Sequence, residues 1–250
     1  MTLINSDLES QMEGFVRPSQ GWSDGPFLGF DLETTGVNPL EDAPVSVALV
    51  LRSSGQTICE EYFLINPGRP IPAGAFAIHS ISDAMVEANG VELAGALNKI
   101  FGIISKASEV GIPVVGMNVS YDLTIVQSQL HEVGGKSLLN TPVRVIDVLT
   151  LDRHFDRYRK GNRKLGTLCD HYGVDLIDAH NALGDAQASL QILERQIERF
   201  PELSTLSLDQ LHTGQVEWHR QWAEDFSKWL ERQGKPPLSS REKNWPYCTD

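Results

Sequence analysis

Asp31 and Glu33 stand two apart where an apolar run ends, in Phe27-Leu28-Gly29-Phe30-Asp31-Leu32-Glu33-Thr34-Thr35-Gly36. In an extended strand, residues i and i+2 point to the same face. The two carboxylates would therefore emerge side by side. Like charges held together away from water are costly unless something neutralises them. Oxygen ligands at this density suit a hard divalent cation such as Mg²⁺ or Mn²⁺. The alternative is a strand that ends in a polar turn, with Asp31 accepting from the amides that follow.

Two later stretches hold residues that would complete such a site. Gly116-Met117-Asn118-Val119-Ser120-Tyr121-Asp122 follows a short apolar run and puts an acid at the start of a helix. The positive end of the helix dipole favours a carboxylate there, so a simple capping role is also open to Asp122. His180-Asn181-Ala182-Leu183-Gly184-Asp185 sets an imidazole five residues before a carboxylate. On one continuous helix, residues five apart lie about 140° round the axis and could not face one cation together. With His180 in the loop before the helix and Asp185 in its opening turns, both can turn inward. Taken alone, His180 reads more readily as a structural histidine.

Positioning these side chains takes strands that end at the acids and helices that begin there. Residues 27–32, 45–51 and 57–64 read as strands separated by Asn38-Pro39 and by Ser53-Ser54-Gly55-Gln56, an antiparallel meander. Residues 66–72, with Pro67, Pro70 and Pro72, read as an extended crossing. Ser82 is a candidate N-cap, and residues 91–107 carry Leu93, Leu97, Ile100, Phe101 and Ile104 at helical spacing. Residues 113–116 and 143–146 read as further short strands, with Asp147 at the end of the second. Residues 121–133, 165–172 and 182–199 read as helices. Five strands, first in a meander and then alternating with helices, predict an α/β domain with a mixed sheet and helices on its faces.

Three spans follow: an N-terminal arm (1–24) without clear periodicity, an α/β domain (25–203), and a C-terminal helical extension with an irregular tail (204–250). In the extension Leu208, Leu211, Trp218, Trp222, Phe226, Trp229 and Leu230 fall largely on one helical stripe, ended by Pro236-Pro237. Such a stripe is readable as packing against its own domain or as a partner surface.

Composition sets outer bounds. Of 250 residues, 41% are hydrophobic and 22% charged, as in ordinary globular chains. No apolar run is long enough to cross a bilayer, and the N-terminus lacks a secretory pattern, so a cytoplasmic protein is expected. Three scattered cysteines without a CxxC pair fit a reducing compartment and argue against a thiolate zinc site. The net charge of −12 disfavours a polyanionic partner overall. A local exception runs from Arg153 to Lys164, where Arg157, Arg159 and Lys160 read either as a solvated surface or as a phosphate-contacting strip.

Taken together, the three stretches resemble the DnaQ-like branch of the DEDD exonucleases. Asp31-Leu32-Glu33-Thr34-Thr35-Gly36 matches the first motif, Asn118-Val119-Ser120-Tyr121-Asp122 the second, and His180-Asn181-Ala182-Leu183-Gly184-Asp185 the third. Phe76-Ala77-Ile78-His79-Ser80-Ile81 is similar to the family's Ile-His-Gly-Ile segment. The histidine makes this the DEDDh type, for which a ribonuclease H-like five-stranded sheet is expected. Met117 and Ser80 depart from the usual histidine and glycine, which bears on substrate preference rather than on any metal ligand.

The resemblance implies two Mg²⁺ or Mn²⁺ ions. Asp31 would bridge them, Glu33 and Asp185 would complete one site, and Asp122 would support the other. His180 would take the proton from the attacking water, a task suited to a group titrating near neutrality. Leu32, Thr34, Thr35, His79 and Asn118 would hold the 3′-terminal nucleotide, with Arg157, Arg159 and Lys160 on its phosphates. The expected activity is 3′–5′ hydrolysis of single-stranded DNA to nucleoside 5′-monophosphates, as in the polymerase III epsilon subunits that proofread or in repair. A DNA polymerase or sliding clamp would be a fitting partner, no membrane is involved, and a homo-oligomer is compatible. The alternatives are a 3′–5′ exoribonuclease or oligoribonuclease, separated by how the pocket meets a 2′-OH, and a nucleic-acid-binding module without turnover.

Overall fold

Alternation along two central strands decides which side of the sheet each acid faces. In β1 (Phe27–Thr34), Leu28, Phe30 and Leu32 pack into one hydrophobic core, while Phe27 packs into a second core on the opposite face. In β2 (Pro44–Ser53), Val47, Leu49 and Leu51 face the first core, and Ala48 and Val50 the second. The period of two then sends Asp31 and Glu33 to the second face. The computed structural model describes residues 8–15, 21–177 and 180–249.

β3 (Gln56–Asn66) completes the antiparallel meander with β2 and β1. β4 (Val91–Glu92), β5 (Val114–Gly116) and β6 (Val145–Asp147) make the order β4-β3-β2-β1-β5-β6, with β5 parallel to both β1 and β6. The sheet is mixed and flanked by helices. It has six strands rather than five because Val91 and Glu92 pair with Ile65 and Asn66 before the next helix begins.

On the first face lie α4 (Leu93–Val110) and α5 (Val119–Glu132), with the short α1 (Leu8–Glu13) on α4. Leu8 and Met12, four apart on one helical side, are fully buried. Part of the N-terminal arm is thus packed structure, and residues 1–7 and 16–20 of it lie outside the described residues. On the second face lie α6 (Val148–Phe155), α7 (Leu165–Tyr172) and α8 (Ala182–Arg199). Two further helices, α2 (Ala73–His79) and α3 (Asp83–Asn89), follow β3. Ser82 does cap α3, accepting from the Met85 amide. The proline-rich crossing ends one residue before α2, with Pro72 as its N-cap.

Two glycines permit close approaches around the acids. A Cβ on Gly29 would lie 2.6 Å from Leu190 Cδ1 and 3.3 Å from the Ala186 carbonyl oxygen, so its absence lets α8 settle onto β1. A Cβ on Gly116 would lie 2.7 Å from the Phe30 carbonyl oxygen and 2.9 Å from Val119 Cβ. Neither neighbour is the free end of a flexible side chain. Gly116→Ala is therefore expected to lower stability by about 1–3 kcal/mol, the usual cost of overpacking, measurable as a shifted urea midpoint at unchanged slope.

α9 (Leu208–Arg232) starts with a capping box between Ser207 and Gln210. Its inward face repeats every four residues: Leu211, Gln215, His219, Ala223 and Ser227 are all buried. This face is largely polar because it covers the open edge of β6. Gln215 donates to the Val145 carbonyl at 2.9 Å and accepts from the Asp147 amide at 2.7 Å. His212 Nδ1 accepts from the Val145 amide at 3.1 Å. Side chains thus satisfy an edge that another strand would otherwise satisfy. The tail returns to the first core, where Trp245 is buried and the Cys248 amide donates to Thr124 Oγ1 at 2.9 Å.

Candidate active site

Asp31, Glu33 and Asp185 each place a carboxylate oxygen within 4.8 Å of the others'. The first two arrive from the second face of β1. Asp185 arrives in the first turn of α8, the helix seated on Gly29. Asp122 comes from the first turn of α5 and is buried, and its charge reaches Asp31. Four acids from three elements thus share one locality.

Their electrostatics follow from the crowding. Burial, and then Asp122, Asp185 and Glu33 in that order, hold the Asp31 carboxyl well above its usual range. Burial and then Asp185 push Glu33 up to about 7. Burial pushes Asp185 up to about 6, against the opposing pull of the His180 charge and backbone amide. Asp122 is raised mainly by burial, with its own amide and that of Leu32 working the other way. Asp185 Oδ1 is buried without a hydrogen-bond partner among the described residues. Hard oxygen donors, mutual repulsion and an orphaned carboxylate oxygen together fit a divalent cation.

A pH dependence follows. A carboxyl raised in the folded state contributes stability that is complete below its unfolded pKa and lost as pH rises through its folded one. In metal-free protein, Asp185 and Glu33 should therefore cost stability progressively from about pH 4 to about pH 7. Mg²⁺ or Mn²⁺ at a hundred times its pH 8 dissociation constant should add about 2.7 kcal/mol at pH 8, or roughly 5–10 °C in Tm for a chain of this size. Calorimetry should find that gain at pH 8 and a clearly smaller one at pH 5. An equal gain at both values would contradict cation binding by these acids.

His180 precedes α8, is exposed, and has a φ of 65°. Its backbone amide and its charge both act on Asp185 and lower that carboxyl. Asp178 and Ala179, just before it, lie outside the described residues.

The residues expected around a nucleotide divide. Asn118 is exposed with φ 57°, and its amide donates to Asp147 Oδ1 at 2.9 Å. Leu32 is buried and offers its amide to Asp122. Thr34 Oγ1 bonds the Gly36 carbonyl at 2.8 Å and the Tyr121 hydroxyl at 3.1 Å. His79 is buried and shifted down by burial, with Nδ1 accepting from the Ile81 amide at 3.0 Å and Nε2 left without a hydrogen-bond partner among the described residues.

Thr35 is hydrogen-bonded within the chain. Its amide donates to Ala43 at 2.9 Å, its hydroxyl donates to Asp42 at 2.8 Å, and that oxygen accepts from the Ala43 amide. Arg159 is likewise turned inward. Its side chain is 6% exposed and pairs with the fully buried Asp152 at 3.1 Å. Burying Asp152 unpaired would cost far more than losing a solvated arginine, so the ion pair takes precedence over a surface role. Arg157 and Lys160 remain exposed.

Two residues outside the expected set shape this site. The Tyr121 hydroxyl donates to the Gly36 carbonyl and meets Thr34, tying the turn after β1 to α5. Asp147 holds the left-handed Asn118 that opens α5 and also accepts from the Leu149 amide at 2.9 Å. The position of Asp147 at the end of a strand was its signal in the sequence. Tyr121 had none beyond adjacency to the acid.

Against known proteins, the exonuclease (RNase T) family model matches residues 28–193, well over half of the chain. An epsilon-like protein of DNA polymerase III from Rhodobacter capsulatus is 32% identical over 174 residues, covering 68% of this chain and 23% of its own. The PolC-type DNA polymerase III of Halalkalibacterium halodurans is 28% identical over 200 residues, covering 79% of this chain and 13% of its own. The chain thus spans a minor part of the curated relatives it matches. Among solved structures, E. coli exonuclease I in complex with a dT13 oligonucleotide shares the fold, with a TM-score of 0.62 and 22% identity over 71% of this chain and 42% of that one. No described helix is long and apolar enough to cross a membrane. All four clustered acids and His180 fall within the matched span, and the chain belongs to the exonuclease family, in its DnaQ-like branch.

Proposed function

We infer that this protein is a metal-dependent 3′–5′ exonuclease acting on single-stranded DNA ends, in proofreading or repair. The observation that carries the reading is the mutual approach of Asp31, Glu33 and Asp185 within 4.8 Å, with the buried Asp122 beside them. Asp31, Glu33 and Asp185 would hold one divalent ion, and Asp31 with Asp122 a second. Bound ions of this kind offset the negative charge that builds on the attacking and leaving oxygens during phosphodiester hydrolysis.

The remaining steps belong to the protein's own side chains. The exposed His180, five residues before Asp185, accepts the proton of the attacking water. The exposed Asn118 and the end of β1 orient the terminal nucleotide, and Asp147 and Tyr121 keep those backbones in place. A site that reads an end through sugar and phosphate carries no sequence code, and bases must be unstacked to enter it. In support, E. coli exonuclease I, which shares this fold, is seen in complex with a dT13 oligonucleotide.

Matched single-stranded DNA and RNA oligonucleotides test the substrate class. The expected result is faster release of 5′-monophosphates from DNA. A higher kcat/KM on RNA would replace DNA by RNA in this reading.

A further inference from the structure

Outside the acid cluster, the most chemically loaded surface lies between α6 and α9. It is a groove of ≈ 400 Å³ lined by Arg153, Arg157, His154, Trp218, Trp222 and Phe226, among others. Its walls are flat rings. His154 stacks on Trp218 with centroids 4.0 Å apart and planes at 13°. Trp222 stacks on Phe226 at 5.2 Å and 12°, and Phe226 on Trp229 at 5.5 Å and 13°. Trp229 is 43% exposed, so the ladder continues into solvent.

The groove also carries cationic side chains, each with an internal partner but two of them facing its rings or solvent. The Arg153 guanidinium lies 3.4 Å from the Trp222 ring centroid, in the geometry of a cation–π contact. Arg157 pairs with Asp225 at 3.3 Å, and its side chain is 66% exposed. Asp225 is the acid of this surface, and Lys228 lies 3.7 Å from its other oxygen. Arg163, by contrast, is committed to the Asp152, Asp156 and Arg157 carbonyls and forms part of the wall. On a chain of net charge −12, such a groove is a local reversal of sign.

Position connects it to the acids. β1, β5 and β6 run parallel, so Asp31, the start of α5 and Asp147 share one end of the sheet. β6 lies two strand spacings, about 10 Å, from β1. α6 leaves directly from Asp147, and Arg153 sits in its last turns, still within reach of the Asp147 charge. A strand leaving the acid cluster along this sheet end meets the groove within the roughly 4–16 nucleotides that a single-strand site occupies.

We propose that the α6–α9 groove is a second, upstream binding site for the single-stranded nucleic acid whose 3′ end lies at the acid cluster, with bases stacking on the exposed Trp229 end of the Trp222–Phe226–Trp229 ladder and phosphates meeting Arg157 and Arg153. The choice of ligand rests on the exonuclease reading. Alternating ring faces and cations match a strand of bases and phosphates, and stacking tolerates any base. The groove gives the enzyme a hold on its substrate beyond the reacting nucleotide, and so a dependence on length.

The test is fluorescence anisotropy of the full chain with labelled oligo(dT) of 3 to 16 nucleotides in EDTA, which holds the strands intact. Wild type should bind the longer strands at least tenfold more tightly than the 3-mer, and Trp222→Leu should lose most of that gain. Arg157→Gln should reduce the slope of log K against log salt by about 0.7, the value per phosphate on single strands. Trp222→Phe, which keeps a ring, should retain the length dependence, and thermal melts check that each variant is folded. Equal length dependence in wild type and Trp222→Leu overturns the proposal and leaves the groove to a protein partner. A wild type without length dependence that still degrades the 3-mer with Mg²⁺ also overturns it, while the nuclease reading stands. Length-dependent binding without hydrolysis in any metal supports the groove and removes the nuclease reading.

Discussion

Asp31→Asn is expected to lower hydrolysis of a single-stranded oligonucleotide by roughly 10⁴-fold while leaving a folded protein. Asp31 is the residue on which the other three acids converge electrostatically. In the proposed two-ion arrangement it would help hold both ions, and bound ions supply several kcal/mol of charge stabilisation in the transition state. Losing about 5.5 kcal/mol corresponds to four decades in rate. The fold should not suffer. Burial and three like charges hold this carboxyl above its unfolded value, so its ionised form opposes folding as pH rises past the ordinary carboxylate range. Metal-free Asp31→Asn should therefore melt no lower than wild type at pH 8. Single-turnover hydrolysis and calorimetry on the same preparation check both halves. Activity within tenfold of wild type would remove Asp31 from the chemistry, and a collapsed Tm would make its role structural.

The second large effect belongs to His180. Removal of a general base slows a reaction by roughly 10²–10⁴-fold, so His180→Ala should fall in that range with divalent-ion affinity changed little. Because the His180 charge lowers the carboxyl of Asp185, some change in the cation's pH dependence is expected too. Titration calorimetry with Mn²⁺ separates the roles. Lost turnover with retained binding assigns proton transfer to the imidazole. Binding and turnover lost together would make His180 a support for Asp185 instead.

Much of this site is readable in the sequence because its determinants are local. Asp31 and Glu33 share a face by strand period, Asp122 and Asp185 sit in first helical turns, and the long helices α4 and α8 carry clear apolar spacing. The meander followed from turn residues. What escaped is set by contacts between distant segments or by elements too short to show a period. α2 and α6 have seven and eight residues, barely two turns. Val91 and Glu92 became a strand only because Ile65 and Asn66 lie alongside. Thr35 is engaged by Asp42 and Arg159 by Asp152, partners seven residues away in each case. A residue's type shows what it can bind, and only the fold shows what has already bound it.

The Trp-bearing helix illustrates the same limit. Its aromatic residues suggested either a buried stripe or a partner surface. In the structure, burial falls to Leu211, Gln215, His219, Ala223 and Ser227, while the rings stand on a shoulder beside them. Gln215 reads as a surface residue until the open edge of β6 is seen to need a donor and an acceptor at that point.

The most direct test of the cation-holding acid cluster is a nuclease assay on 3′-labelled and 5′-labelled single strands, with Mg²⁺ or Mn²⁺ and with excess EDTA. The account predicts immediate release of the 3′ label as mononucleotide, progressive shortening of the 5′-labelled strand, and neither in EDTA. Cleavage that persists in EDTA, or that begins at the 5′ end, would contradict it.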